Sequence, residues 1–186
     1  WRAPGDAGIP PQFDFRGSTN LKGLEVIWPK PSISVRGGLR TIGYTDVLVL
    51  PVRFTPEHAG DDIALSGRVE LGVCRDVCIP VELRVAGVLP NGVSKPDPRI
   101  SAAIASRPYS AGEAGVSDVR CRMSPIEGGL ALRAEVDMPS AGGRELAVIE
   151  VADPQIWVAQ AKATRQGGTL VAETKPYHNE RRSFLL

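Results

Sequence analysis

The sequence holds little of what most active sites are made from: two histidines, three cysteines, and only three Trp, three Tyr and four Phe in 186 residues. His58 stands in a turn-like stretch and His178 in a polar C-terminal one, so each reads as a solvated loop residue, and a complete metal site has thin support. Basic residues do not cluster with aromatics, and 22 Lys and Arg against 21 Asp and Glu leave a formal charge of +1. No nucleic-acid partner is expected from such a surface. The longest apolar run, Val47 to Val52 broken by Pro51, is far shorter than the roughly 20 residues of a membrane helix, so this stretch of chain is not expected to span a bilayer. Within these residues no signal-peptide pattern is read. The chain opens abruptly on Trp1-Arg2-Ala3-Pro4-Gly5, which reads as the end of a strand; an N-terminal strand and an export signal are expected to precede it.

Glycine (20) and proline (16), by contrast, are frequent and punctuate short strand-like segments. That pattern predicts an all-β fold: an immunoglobulin-like sandwich followed by a second, smaller sandwich, with a short connecting helix. Gln12–Phe15, Leu24–Trp28 and Val47–Phe54 read as strands. Residues 29–43 carry so much Pro and Gly that they read as a long loop able to lie over something. Tyr44 and Asp46 read as packing and turn residues. Asp97-Pro98 looks like an N-cap followed by proline at the first helical position, leading a short helix that stops at Arg107-Pro108. The expected division is 1–95, a linker over 96–107, and 108–186. In the last, strands are expected at Val116–Met123, Leu130–Met138, Glu145–Val151, Ile156–Ala159 and Thr169–Thr174; it shows no motif that carries chemistry and reads as a scaffold or docking surface.

Chemistry concentrates in Gly72-Val73-Cys74-Arg75-Asp76-Val77-Cys78-Ile79-Pro80. Before it, Leu65, Val69, Leu71 and Val73 are odd-numbered and Ser66, Arg68 and Glu70 even; after it, Ile79, Val81, Leu83 and Val85 are odd and Glu82 and Arg84 even. Such alternation predicts two half-buried strands joined by Arg75-Asp76-Val77, with both cysteines on the polar face. In one continuous strand their Cα atoms would lie about 13 Å apart, too far for a disulfide. Folded back across the loop they approach about 5.5 Å, the spacing a disulfide or a facing dithiol needs. Closing so short a loop removes little entropy from the unfolded chain, so a mere staple gains little. Cys121 shares the parity of Val119 and Met123 and is expected to be a buried core residue.

Three stretches together resemble a known family. They are Trp1 to Pro11, Ile42-Gly43-Tyr44-Thr45-Asp46-Val47-Leu48-Val49-Leu50-Pro51-Val52, and Val69-Glu70-Leu71-Gly72-Val73-Cys74-Arg75-Asp76-Val77-Cys78-Ile79-Pro80-Val81. In this order they are similar to the N-terminal periplasmic domain of the transmembrane thiol:disulfide interchange reductases, DsbD and its copper-tolerance relative ScsB. The resemblance implies an electron-relay domain of a larger protein-disulfide reductase, periplasmic, with a redox-active disulfide and no other cofactor. Electrons would arrive from a thioredoxin-like domain of the same polypeptide, reduced by its transmembrane core. They would leave to periplasmic thioredoxin-like or isomerase proteins. It further implies that Cys78 forms the mixed disulfide with partners, that Cys74 resolves it, and that a cap over 29–43 shields the pair. The DsbD cap carries aromatic side chains, whereas 30–41 has none and offers Ile33, Val35 and Leu39. The cysteine spacing is also shorter, which favours the ScsB-like side. Two other readings stand beside this one. Cys74 and Cys78 would hold Cu(I) in a copper-tolerance module, or they would form a stapling disulfide in a passive structural sandwich.

Overall fold

Alternation of apolar and polar side chains governs the first half of the chain, and its strands follow. The computed structural model describes residues 11–36, 39–74, 78–92, 95–151, 153 and 156–178, with backbone alone for 35, 36, 39–41, 74, 78 and 178. The turn-dense opening through Pro10, the Arg75–Val77 loop and the facing of the Cys74, Cys78, Val35 and Leu39 side chains lie outside the described residues. The chain divides into two compact units, Trp1–Pro108 and Tyr109–Leu186.

The first unit holds β1 (Gln12–Asp14), β2 (Leu21–Val26), β3 (Ser32–Arg36), β4 (Leu39–Gly43), β5 (Val52–Pro56), β6 (Ile63–Cys74), β7 (Cys78–Leu89) and the helix α1 (Pro98–Ala105). β1, β6 and β7 form one antiparallel sheet in that order, while β2 pairs with β5 and β3 with β4. Phe15, Ile42 and Ile63 are buried. Phe15 meets Phe54 edge-on at 5.2 Å, Phe13 meets Trp28 at 6.0 Å, and Trp28 stacks on Tyr44 at 6.2 Å. The Tyr44 hydroxyl donates to the Pro29 carbonyl at 2.7 Å, and Asp46 adopts φ +61°. Packing and turn formation are therefore what those two residues do.

Two expectations fail here. Residues 29–43 are not a long loop, for β3 and β4 pair from Ser32↔Gly43 to Arg36↔Leu39. Ser32-Ile33-Ser34-Val35-Arg36 alternates, and Gly37-Gly38 is the kind of pair that joins hairpin strands; counting Pro and Gly alone hid that signal. The segment Val47–Phe54 enters its ladder only at Val52, because Pro51 has no N–H to donate and Val47 is 83% exposed. Instead, the Pro51 carbonyl accepts from Ile27 N at 2.9 Å.

The helix has the expected cap. Asp97 is extended (φ −90°, ψ 121°), and its Oδ1 accepts from Arg99 N at 2.8 Å. Arg99 also donates to the Asp97 carboxylate through its guanidinium, which together with the Arg99 amide lowers the carboxyl to about 2. At its other end the Ser106 carbonyl accepts from Lys30 N at 2.8 Å, tying α1 to the segment after β2.

The second unit holds β8 (Asp118–Ile126), β9 (Gly129–Asp137), β10 (Ile156–Val158), β11 (Lys162–Gln166), β12 (Thr169–Thr174) and β13 (Pro176–His178). Four strands pair in the order β11-β12-β9-β8, and β10 pairs with β13. Ala134, Ala161 and Ala172 form its core with Ala147 and Ile149 packed against them. Residues 145–151 were expected as a strand and belong to none. They turn Ala147 and Ile149 inward, and Glu145 binds Arg165 in a two-armed ion pair. Alternation there reflects burial without ladder pairing. His178, expected in a loop, ends β13 opposite Ile156. Cys121, expected in the core, is exposed. It lies on β8, an outer strand of its sheet, where Val119 of the same parity is 55% exposed too. Parity identified a common face but not whether anything covers it.

Candidate functional site

β6 and β7 are each twelve residues long and pair without a break from Ile63↔Leu89 to Cys74↔Cys78. The alternation that predicted them is visible in β6, where Leu65, Val69 and Leu71 are half-buried and Ala64, Ser66, Arg68 and Glu70 exposed. β7 is an outer strand, and Ile79, Leu83 and Val85 on its apolar parity stay 53%, 49% and 37% exposed. An outer position also suits Pro80, which brings one donor fewer to the ladder.

Cys74 and Cys78 are thus brought together as the last register pair of this ladder. Directly opposed residues of an antiparallel pair have Cα atoms about 4.5 or 5.5 Å apart, according to the hydrogen-bonding type of the pair. Either spacing falls within the range of roughly 4.4–6.8 Å that disulfides span. The neighbouring pair, Val73 and Ile79, is 46% and 53% exposed. Near its end the hairpin therefore presents apolar side chains to solvent beside the cysteine pair.

Further along the ladder the polar face carries bands of charge. Arg68 is opposite Arg84, and Glu70 is opposite Glu82. β1 adds Asp14 beside Arg68 and Gln12 beside Glu70. Asp14 receives Arg16 at 2.7 Å and Arg68 at 3.4 Å, and the Arg16 hydrogen bonds hold its carboxyl well below the ordinary aspartate range. A groove of about 580 Å³ runs between β1 and β2, lined by Phe13, Phe15, Leu21 and Leu24 with Arg68 and Glu70 of β6.

The other candidates do not join this pair in any described contact. His58 gives its backbone N–H to Asn20 Oδ1 at 2.7 Å. Among the described residues no group of three His, Cys, Asp or Glu side chains is placed to hold a metal ion. Sequence reasoning missed Asn20, which sits at φ +59° and donates from Nδ2 to the carbonyls of His58, Asp61 and Asp62 at 3.2 Å each. An asparagine between two strand patterns was its only signal, since Asn tolerates the left-handed conformation.

Comparison with curated proteins yields no match. Among solved structures, the chain is similar to the crystal structure of the N-terminal periplasmic domain of ScsB from Proteus mirabilis. The TM-score is 0.62 at 21% identity, covering 97% of this chain and 69% of that one, which establishes a shared fold. A family model described as thiol:disulfide interchange protein DsbD, N-terminal, matches residues 1–90, the stretch that closes with the β6–β7 hairpin. Residues 1–90 of this chain belong to the DsbD N-terminal domain family, a family of thiol:disulfide interchange domains.

Proposed function

We propose that the first unit is a periplasmic electron relay that works by thiol–disulfide exchange at Cys74 and Cys78. One observation carries the reading: the two cysteines are opposed at the end of a long, regular ladder, inside the segment that matches the family. The Cys78 thiolate attacks one sulfur of an oxidised partner, forming a mixed disulfide and releasing the partner's other sulfur as thiolate. Cys74 then attacks Cys78, and the partner leaves as a dithiol while the pair becomes a disulfide. A thioredoxin-like donor, a domain of the same larger polypeptide served by its transmembrane core, returns two electrons by the same exchange run in reverse. The acceptors are periplasmic thioredoxin-like or isomerase proteins. The periplasmic assignment draws support from the likeness to a periplasmic domain. Among the described residues no helix is long and apolar enough to cross a membrane. The second unit acts as scaffold.

The test mixes the oxidised chain with a reduced thioredoxin-like protein and counts thiols at Cys74 and Cys78 by alkylation and mass spectrometry. Both are expected to become reduced. Cys78→Ala abolishes transfer, and Cys74→Ala mixed with an oxidised thioredoxin-like protein accumulates the mixed disulfide through Cys78; full relay by the double variant overturns the proposal.

A further inference from the structure

The polar face of β6 and β7 has a charge order that calls for a partner. Going from the cysteine end, its described register pairs are Gly72–Pro80, Glu70–Glu82, Arg68–Arg84, Ser66–Ala86 and Ala64–Val88. Like charges directly opposite one another destabilise a sheet, yet two such pairs stand in succession. They are only partly relieved within the chain. Arg84 reaches Glu82 at 3.3 Å, Arg68 reaches Glu82 at 3.9 Å and Asp14 at 3.4 Å, and Arg84 is still 86% exposed. Glu70 has no ion-pair partner among the described residues. A docking surface of one sign would satisfy one band and repel the other. What fits is an acidic band and a basic band side by side, in reversed order.

This face itself has that order. We propose that it is a self-complementary docking surface for a second copy of this chain. The two-fold axis lies across the strands, between the Arg68–Arg84 and Glu70–Glu82 pairs. Rotation about it stacks the two sheets face to face, about 10 Å apart, with β6 over β6 and β7 over β7 running in opposite directions. Each glutamate band then faces the arginine band of the other copy. Gly72–Pro80, where Gly72 is itself buried and makes no contact, lies opposite Ser66–Ala86. The Cys74–Cys78 pair, about 16 Å from the axis at 3.3 Å per residue, falls opposite Ala64–Val88, where Val88 is 63% exposed. The alternative axis, along the strands, would set Glu upon Glu and Arg upon Arg. Two twelve-residue strands cover on the order of 400 Å² per copy, so the dimer belongs to the weak, transient class. An isologous contact of this kind closes upon itself and does not grow into a filament.

The experiment is sedimentation of the whole chain carrying Cys121→Ser with the Cys74–Cys78 pair kept oxidised, so that no thiol links copies covalently. The parent chain is expected to dimerise at low salt, with affinity falling at least about ten-fold between roughly 0.05 and 0.5 M salt. Glu70→Arg with Glu82→Arg makes the face all basic, and Arg68→Glu with Arg84→Glu makes it all acidic. Each variant alone is expected to be monomeric, and an equimolar mixture to form heterodimers. A parent chain that stays monomeric at low salt overturns the proposal, as does a mixture that stays monomeric. So does association that survives both variants or ignores salt. Should the reversed variants fail to fold, Glu70→Gln with Glu82→Gln keeps side-chain size, and loss of the dimer is the expected result; an unchanged dimer overturns the proposal.

Discussion

Gly67 makes room for Phe15. A Cβ at position 67 would fall 2.4 Å from Phe15 Cδ1 and 2.7 Å from the Asp14 carbonyl oxygen, both far inside van der Waals contact. Phe15 is buried and meets Phe54 edge-on, and the Asp14 carbonyl belongs to the β1 backbone, so relief would need both ring and main chain to shift. Gly67→Ala is therefore expected to destabilise the first unit by about 1–3 kcal/mol, the usual cost of overpacking. Urea unfolding followed by tryptophan fluorescence measures it, and an unchanged midpoint would contradict the tight fit.

Asn20 should matter to the loop before β6. Its amide serves three carbonyls and its Oδ1 receives His58 N, while its own carbonyl accepts from Glu57 N at 3.2 Å. Asn20→Ala removes all the side-chain bonds and leaves a non-glycine residue at φ +59°. A loss of about 1–3 kcal/mol is expected from unmade hydrogen bonds. Faster amide exchange at His58 checks the cause, for its N–H is the one donor in the set that answers to the Asn20 side chain.

The N-cap of α1 sets an acid limit. Hydrogen bonds from the Arg99 guanidinium and then the Arg99 amide lower the Asp97 carboxyl to about 2 in the fold, against about 3.9 in an unfolded chain. A depressed carboxyl stabilises the fold fully above its unfolded value, and that contribution fades as pH falls through the folded one. The cap should thus hold above about pH 4 and weaken between about 4 and 2. The Arg99 amide chemical shift is expected to titrate with a midpoint about 2; a midpoint close to 4 would refute the cap's charge.

A reduction potential distinguishes an exchanging pair from a staple. The proposed relay requires Cys74 and Cys78 to equilibrate with thioredoxin-like proteins, hence a potential above about −300 mV. Equilibration against glutathione or dithiothreitol buffers gives the value. A potential well below that figure would mark an inert cross-link and remove the relay.

What was legible in the sequence, and what was not, follows from what alternation can encode. Period two located β6, β7, β8, β9 and β12, because each strand must send alternate side chains to two different surroundings. The register of Cys74 against Cys78 followed from the short loop between them. Coverage is another matter: Cys121 shares its parity with Val119 and Met123, yet whether a layer lies over β8 is decided by residues far away in sequence. Pairing is equally invisible when burial alternates without a ladder, as it does at Glu145 to Val151. Arg165 captures Glu145 from twenty residues away, and no local pattern announces that. The β3–β4 hairpin was legible in principle. Its Gly37-Gly38 step after the alternating Ser32–Arg36 segment was a stronger indicator than the overall abundance of Gly and Pro.

Backbone spacing in the last rung of the β6–β7 ladder suits sulfur bonded and sulfur free alike, since opposed strand positions already stand within bonding reach. Gain or loss of two electrons then asks for almost no rearrangement of the main chain. In the proposed relay such a rung would work like a latch whose two leaves are hung in advance, with no refolding of the scaffold between its two states.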